Sequence, residues 1–343
     1  MSCPGAAARD DQLPRRSSEA SLRSPPTPST MPNMLPIRPN PEPGESLTGY
    51  LVRLSGANLH EPRFVADLVG VQIPCIDPGD HQLETLAKLT GKDVGRLAAM
   101  AYRKSGPSVS RSRYGARHHR LSFLGHSVVR HHLMDETRQV CVACLKEACH
   151  HRILWDLRLL DTCPEHGWRM LSKCPHCSKD LRWNTTSIDL CGACGKRFPA
   201  AQEREPQEVI SAARFLRDLV QYGAAKPELV EDLSFLQTLD VLEAVAVAAQ
   251  RAHDSDGRPL HPAVERTAKS PTATAYSLIL SGEHALLDTL RASAAVTRNP
   301  VLDEANPVLP LVRAAGRMNG SRFERMVMSF VRERAAQSLM ASA

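Results

Sequence analysis

Cysteines separated by two residues recur along one stretch of this sequence. Thiolates at that spacing have a specific use: a tight turn presents both to one metal ion, and a second such turn completes a tetrahedron. Cys141-Val-Ala-Cys144 is followed after eighteen residues by Cys163-Pro-Glu-His166, a set of three cysteines and one histidine. Seven residues later comes Cys174-Pro-His-Cys177, then thirteen residues, then Cys191-Gly-Ala-Cys194, an all-cysteine set. Each set supplies four N or S donors and leaves no open position, which makes the sites structural rather than catalytic and suits Zn2+. An iron–sulfur cluster competes for the all-cysteine set, and the histidine favours zinc in the first. The expectation is two structural Zn2+ ions. Structural zinc contributes about 10–16 kcal/mol of apparent binding free energy in small modules, so this region folds with its metal.

Local chemistry around the ligands agrees. Pro164 and Pro175 each follow the first ligand of a turn, and Gly192 and Gly195 flank the last pair, where the backbone must bend sharply. Cys3, Cys75 and Cys149 have no partner at ligand spacing and read as ordinary thiols. His150 and His151 are substitute ligands for His166, whereas His176 sits inside its own turn and is poorly placed to reach the same ion. Trp155 is expected to pack over the metal-bound loop, with Arg152 either bracing it or reaching a phosphate.

Elements must hold these turns. With 343 residues and 42% hydrophobic content, the chain is long enough for two or three domains with real cores. Ten of its 25 prolines fall in residues 1–43, which show no apolar periodicity and read as a disordered leader. From 44 to 102 the pattern is helical. Ser46 can cap a segment with Leu47, Tyr50, Leu51 and Leu54 on one face, and Phe64, Val65, Leu68, Val69, Leu83, Leu86 and Leu89 supply its partners. Residues 83–100 read as helix, a short turn at Thr90-Gly91-Lys92, and a second helix capped by Asp93, the pattern of a helix-turn-helix. Such pairs are equally frequent as plain structure in helical domains. Residues 140–200 hold the tandem zinc modules. Residues 201–343 read as a helical C-terminal domain, with stripes at Val209, Ala212, Phe215, Leu216, Leu219 and at Leu233, Leu236, Leu239, Leu242, Val245, and a capping box at Ser321-Arg-Phe-Glu324. The fold class is therefore mainly α with small zinc-ribbon β elements.

Residues 103–139 read as a basic connector. Between Arg103 and Leu133 lie seven Lys or Arg and no Asp or Glu. Arg103, Lys104, Arg111, Arg113, Arg117, Arg120 and Arg130, with Arg152 further on, are the candidate phosphate contacts, since neutralising phosphates releases counterions and gives sequence-independent affinity. A solvated connector is the plain alternative. The overall charge of +6 permits nucleic-acid binding without demanding it, and 4% aromatic content leaves little surface for base stacking.

Several functions are argued against. No apolar run approaches the ~18–20 residues of a membrane span, and charges near the start exclude a secretory peptide, which places the chain in the cytoplasm. His-Glu-x-x-His, His-x-Glu with Pro-Cys-x-x-Cys, and Gly-x-x-x-x-Gly-Lys-Ser/Thr are all missing, and both ligand sets are complete. A non-enzymatic, DNA-associated protein is expected, and a zinc-ribbon or helix-turn-helix transcription regulator satisfies the same features.

The ordered motifs carry a family resemblance. Pro43-Gly-Glu-Ser-Leu-Thr-Gly-Tyr-Leu-x-Arg53, Leu89-Thr-Gly91, Phe123-Leu-Gly125, Cys141-x-x-Cys144-Leu145, Arg152-x-x-Trp155-x-Leu157, Cys163-Pro-x-His166-Gly167, Cys174-Pro-x-Cys177 and Cys191-x-x-Cys194-Gly195 resemble the TniQ/TnsD family of transposon target-selection proteins. The resemblance implies a zinc-dependent bacterial, nucleoid-associated adaptor that helps choose an insertion site and recruits the transposon's AAA+ ATPase, which engages the transposase. It implies DNA or a guide-RNA effector complex as the targeting partner, and it is compatible with a homodimer. Two features depart from the family pattern: Val142 stands where the first turn commonly has proline, and the region after residue 200 matches no motif.

Overall fold

A computed structural model of the chain describes residues 34–105, 120–134, 136–199, 203–252, 270–292 and 306–340. Helices dominate, accompanied by one small sheet of three short strands. The described residues form two compact units. One draws on residues within 1–103, 135–155 and 171–200, and the other on residues within 104–134, 156–170 and 201–343.

The first unit begins with four helices, α1 (Leu47–Ala57), α2 (Phe64–Val69), α3 (Asp80–Thr90) and α4 (Val94–Ala99). Ser46 caps α1 by accepting the Gly49 N–H at 3.1 Å, and Asp93 caps α4 by accepting the Arg96 N–H at 2.8 Å. Gly91 ends α3 in the left-handed conformation, φ 66°. In the core, Leu47, Tyr50, Leu51 and Leu54 of α1 pack among Val65, Val69, Leu83, Leu86 and Leu89 as expected, joined by Leu97, while Phe64 and Leu68 are only partly buried against it. The α3–turn–α4 connection has the helix-turn-helix sequence of elements, but α4 is only six residues long and Leu97 is its buried residue.

The proline-rich leader differs from expectation over residues 34–43, while residues 1–33 lie outside the described residues. Leu35 is buried and its N–H donates to the Leu89 carbonyl at 2.9 Å. The carbonyls of Pro39, Asn40 and Pro41 accept from Tyr50 Oη, Arg53 Nη2 and Arg96 Nη2. Proline loses a donor yet keeps its carbonyl, so an extended segment without periodicity is still fastened by acceptors.

The second unit takes up the chain at Lys104, and the strands β1 (Arg103–Lys104), β2 (Arg120–Phe123) and β3 (His126–Val129) are ordered β1-β2-β3. β2 and β3 pair antiparallel from Arg120–Val129 to Phe123–His126, and the tight turn places Leu124 and Gly125 at φ 49° and 85°. The stretch expected to be a connector thus contains a hairpin. A short 3-10 turn, Arg130–His132, follows directly. The C-terminal helices are α6 (Gln207–Tyr222), α7 (Phe235–Arg251), α8 (Pro271–Leu280), α9 (Gly282–Ala292), α10 (Val308–Ala315) and α11 (Arg322–Met340), with α5 (Val142–Glu147) earlier in the chain. Helices α7, α8 and α10 form the centre of this unit, and α6 packs on α8. The predicted stripe Val209, Ala212, Phe215, Leu216 and Leu219 is buried on α6, and Ser321 Oγ accepts the Glu324 N–H, one half of the expected capping box, while the Glu324 carboxylate accepts the N–H of Gly320 rather than that of Ser321.

Candidate functional site

Three of the four ligand turns have one backbone design. The N–H of Gly167, Ser178 and Gly195 each donates to the carbonyl of the first cysteine of its turn, Cys163, Cys174 and Cys191, at 2.8 Å. Each of those cysteines donates its own N–H onward, to the carbonyls of Trp168, Lys179 and Lys196. Within the turns, the N–H groups of His166, His176 and Ala193 point at the sulfurs of Cys163, Cys174 and Cys191 at 3.4–3.5 Å. Such donors stabilise thiolate over thiol. The closing residue has positive φ in all three, 67°, 57° and 71°, which glycine adopts freely and Ser178 does not. The first pair is built differently. Cys141 is the N-cap of α5 and Cys144 lies in its first turn, so helix geometry, not a knuckle, brings them together. A knuckle proline is not needed there, which accounts for Val142.

The side chains converge as the spacing requires. Donor atoms of Cys141, Cys144, Cys163 and His166 lie within 4.8 Å of one another, and so do the sulfurs of Cys174, Cys177, Cys191 and Cys194. The fit to zinc can be tested on distances. Sulfurs placed about 2.3 Å from an ion at tetrahedral angles stand about 3.8 Å apart. Cys174 Sγ to Cys194 Sγ is 3.7 Å and Cys177 Sγ to Cys191 Sγ is 3.8 Å. For one sulfur and one imidazole nitrogen the same geometry gives about 3.6 Å, and Cys163 Sγ to His166 Nδ1 is 3.6 Å. The cysteines of both sets are free of disulfides. Both sets therefore fit tetrahedral zinc, and an ion there cross-links the turns. Burial raises the Cys191 thiol, but the N–H groups of Cys194 and Ala193 together with the neighbouring Cys174 and Cys194 thiols bring the pKa down to about 7.

The remaining cysteines and histidines separate cleanly. Cys75 is a buried free thiol whose pKa burial pushes up to about 12. Cys149 is disulfide-bonded, which corrects its reading as an ordinary thiol, because ligand spacing says nothing of disulfide pairing. Cys3 lies outside the described residues. His150 and His151 belong to neither ligand set. His151 is fully buried, with Nδ1 3.2 Å from Ser46 Oγ and its ring edge-on to Trp155 and Trp183. Burial, then the Arg138 charge, holds its pKa well below the usual imidazole value. His151 is thus a neutral ring hydrogen-bonded to the Ser46 hydroxyl.

Residues 36–170 match the TniQ family model. This chain carries a TniQ domain. No curated protein matches the chain. The family is associated with target selection in transposition and is generally non-catalytic. The match takes in the set of Cys141, Cys144, Cys163 and His166 and ends before Cys174.

The TniQ-like motif after Pro43 has a structural reason at each position. Glu45, with its side chain fully buried, receives Arg53 Nε and Nη2 at 2.8 and 2.7 Å, a bidentate pair that ties the entry of α1 to its second turn. Ser46 is the cap, and Tyr50 reaches Pro39. Gly49 and Gly56 lie seven residues apart on one helical face. A Cβ on Gly49 would meet His151 Cβ at 2.7 Å, and one on Gly56 would meet the Thr186 carbonyl of the second zinc loop even more closely.

Sequence reasoning missed Arg138, which is fully buried. It donates from Nη1 to the Ile188 carbonyl and from Nη2 to the Leu190 carbonyl, both at 2.7 Å, and from Nε to the Arg182 carbonyl at 3.1 Å. Its guanidinium also faces the Trp183 and Phe198 rings at 6.0 and 5.8 Å. No local pattern marks a residue whose partners are some fifty positions away. Burial lowers its pKa to about 10, still charged at neutral pH, and the Cys191 thiolate favours that charge.

The second unit holds the Cys163 knuckle by its own contacts. Thr162 bridges Arg169, and Glu205 donates its N–H to the Gly167 carbonyl at 2.8 Å. Arg214 Nε donates to the Pro164 carbonyl at 3.2 Å, while Arg217 pairs with Glu165 at 3.1 Å. The knuckle therefore rests on α6 and the strand-like segment before it.

The candidate phosphate contacts are placed unevenly. Arg111, Arg113 and Arg117 lie outside the described residues. Arg103 is paired with Asp80 at 2.5 Å, and Arg152 lies over Trp155 at 5.9 Å with Glu147 at 3.8 Å, so Arg152 braces the ring. Lys104, Arg120 and Arg130 are exposed. Because Arg120 is registered with Val129, Arg120 and Arg130 stand together at the open end of the hairpin. No described helix is long and apolar enough to cross a membrane.

Proposed function

We propose that this protein is a non-enzymatic target-selection adaptor of a DNA transposon, which binds target DNA or a targeting complex and recruits an AAA+ ATPase. The single observation that carries this reading is the TniQ match over residues 36–170. Two closed metal sets support it, because a metal with all positions filled by protein serves as scaffold rather than as reagent. In this reading Cys141, Cys144, Cys163 and His166 hold one zinc ion and Cys174, Cys177, Cys191 and Cys194 the other. Arg120, Arg130 and Lys104, with Arg111, Arg113 and Arg117, meet DNA phosphates, and the α3–α4 pair is the helix-turn-helix. The ATPase, the transposase or a guide-RNA effector complex, and a second copy of this chain are the protein partners, in the bacterial cytoplasm.

The test is co-purification of the zinc-loaded chain with the neighbouring ATPase, followed by mapping of insertions with and without the chain. Retention of the ATPase and a shift of insertion sites are expected. DNA binding at a fixed operator with an unchanged insertion pattern would transfer the assignment to a zinc-ribbon transcription regulator.

A further inference from the structure

A third cluster of metal-ligating side chains lies in the C-terminal unit, outside both cysteine sets. His131 and His132, adjacent in the 3-10 turn after β3, face Asp240 and Glu243, which lie three residues apart on one face of α7. His132 Nε2 is 3.3 Å from Asp240 Oδ1 and 3.6 Å from Glu243 Oε2. His131 Nε2 is 4.0 Å from the same Asp240 oxygen and 3.7 Å from the same Glu243 oxygen. The donor atoms of His131, His132 and Asp240 all lie within 4.8 Å of one another.

We propose that His131, His132, Asp240 and Glu243 form a third divalent-cation site, a histidine–carboxylate site suited to Zn2+, that clamps the turn after the hairpin onto α7. Three observations carry it. First, an ion held by imidazole nitrogens at about 2.0–2.1 Å and carboxylate oxygens at about 2.0–2.2 Å spaces unlike donors about 3.4 Å apart in a tetrahedron. The four measured separations run from 3.3 to 4.0 Å, near or above that value, and they join both histidines to both carboxylates, with His131, His132 and Asp240 the mutually close set and Glu243 beside the two histidines.

Second, His132 is 1% exposed, yet neither ring nitrogen makes a hydrogen bond. Nε2 is 3.3 Å from one carboxylate oxygen and 3.6 Å from the other, within reach of an ion pair when the ring is protonated and of shared coordination of one ion when it is neutral. Third, the Asp240 carboxylate is oriented from behind. Arg317 Nε donates to Oδ2 at 3.1 Å, which leaves Oδ1 for the histidines, the outer-shell arrangement that fixes a metal-binding carboxylate. Two imidazoles in the set favour zinc over magnesium or calcium, which take oxygen donors. His131 and Glu243 are 39% and 47% exposed, so the ion has a path in from solvent.

The alternative is an ion pair in which a protonated His132 alone joins the two carboxylates. Elemental analysis of the full chain, purified and then equilibrated with Zn2+, separates them. One equivalent beyond the two cysteine sets is expected, and His131→Gln or Glu243→Gln, both at half-exposed positions, should each lose that equivalent alone. Replacement by Co2+ should add weak visible bands with no thiolate charge transfer for this equivalent, and these should survive Cys177→Ser. If the wild-type chain saturates at the cysteine sets, or if no Co2+ band lacking thiolate character appears, the cluster is an ion pair and the proposal is wrong.

Discussion

Arg138 Nη1 donates to the Ile188 carbonyl at 2.7 Å inside the loop that joins the two knuckles of the all-cysteine set. With its other two bonds, to Arg182 and Leu190, the guanidinium closes that loop from within, where no carboxylate is used. The loop carbonyls serve instead, and the thiolates supply the negative field. Arg138→Met keeps much of the bulk but strips the buried Ile188 carbonyl of its donor, while the part-buried Leu190 carbonyl keeps Thr185 Oγ1 at 3.2 Å. Leaving one such group unsatisfied costs about 1–3 kcal/mol, so a loss of about that size is expected. Urea denaturation with zinc present measures it, together with earlier loss of one zinc equivalent to a chelator. A midpoint within error of wild type would remove Arg138 from the module's support.

Ser178 stands in the second knuckle where Gly167 and Gly195 stand in the others, with φ 57°. An L residue in the left-handed region costs about 1–2 kcal/mol, partly offset by the greater freedom of glycine in the unfolded chain. Ser178→Gly should therefore stabilise the second zinc module by about 0.5–1 kcal/mol. The reverse change, Gly195→Ser, should cost a similar amount. Chelator competition against each variant reads both signs, and a destabilised Ser178→Gly would mean that the serine side chain has a role of its own.

Much of this was legible in the sequence because it is local. Ligand pairs, the caps at Ser46 and Asp93, and the stripes of α1 and α6 each depend on residues within a turn or two. Gly195 could be read as a turn residue from its place after the last ligand pair. The basic run was legible as composition only, and its hairpin was not, because Leu124-Gly125 is not a common two-residue turn. Arg138 and the His132–Asp240 contact depend on partners far along the chain, and a single sequence does not encode which distant carbonyl or carboxylate a buried polar residue will meet. The same reason hid the anchoring of residues 34–43, whose own carbonyls, common to every residue, accept from Tyr50, Arg53 and Arg96.

His150 gives the first unit a pH dependence. It is 4% exposed, and burial, reinforced by the Arg152 charge, lowers its pKa from 6.5 to about 4. Between those values the unfolded chain takes up a proton that the folded chain refuses. Stability contributed by neutral His150 is therefore present above pH 6.5 and is lost as pH falls toward 4. One histidine sets a slope of at most about 1.4 kcal/mol per pH unit. His151 acts in the same direction, and proton competition for the cysteines adds to both, so the informative quantity is a difference. His150→Gln should lose less stability than wild type between neutral pH and pH about 5, measured as the change in urea midpoint. Equal losses in the two proteins would show that His150 titrates normally.

Arg120 and Arg130 give the DNA reading a quantitative test. Both are exposed at the open end of the β2–β3 hairpin, while Arg152 lies over Trp155 and Arg103 pairs with Asp80. Each phosphate contact contributes a slope of about −0.9 to the dependence of log affinity on log salt for duplex DNA. Arg120→Ala with Arg130→Ala should flatten that slope by about 1.8 and weaken binding to unrelated sequences equally. Arg152→Ala should leave the slope unchanged and instead loosen the packing around Trp155, seen as altered tryptophan fluorescence. Fluorescence anisotropy over a salt series distinguishes the two. If the double variant keeps the wild-type slope, the hairpin does not touch phosphate, and contact would have to come from the segment that carries Arg111, Arg113 and Arg117.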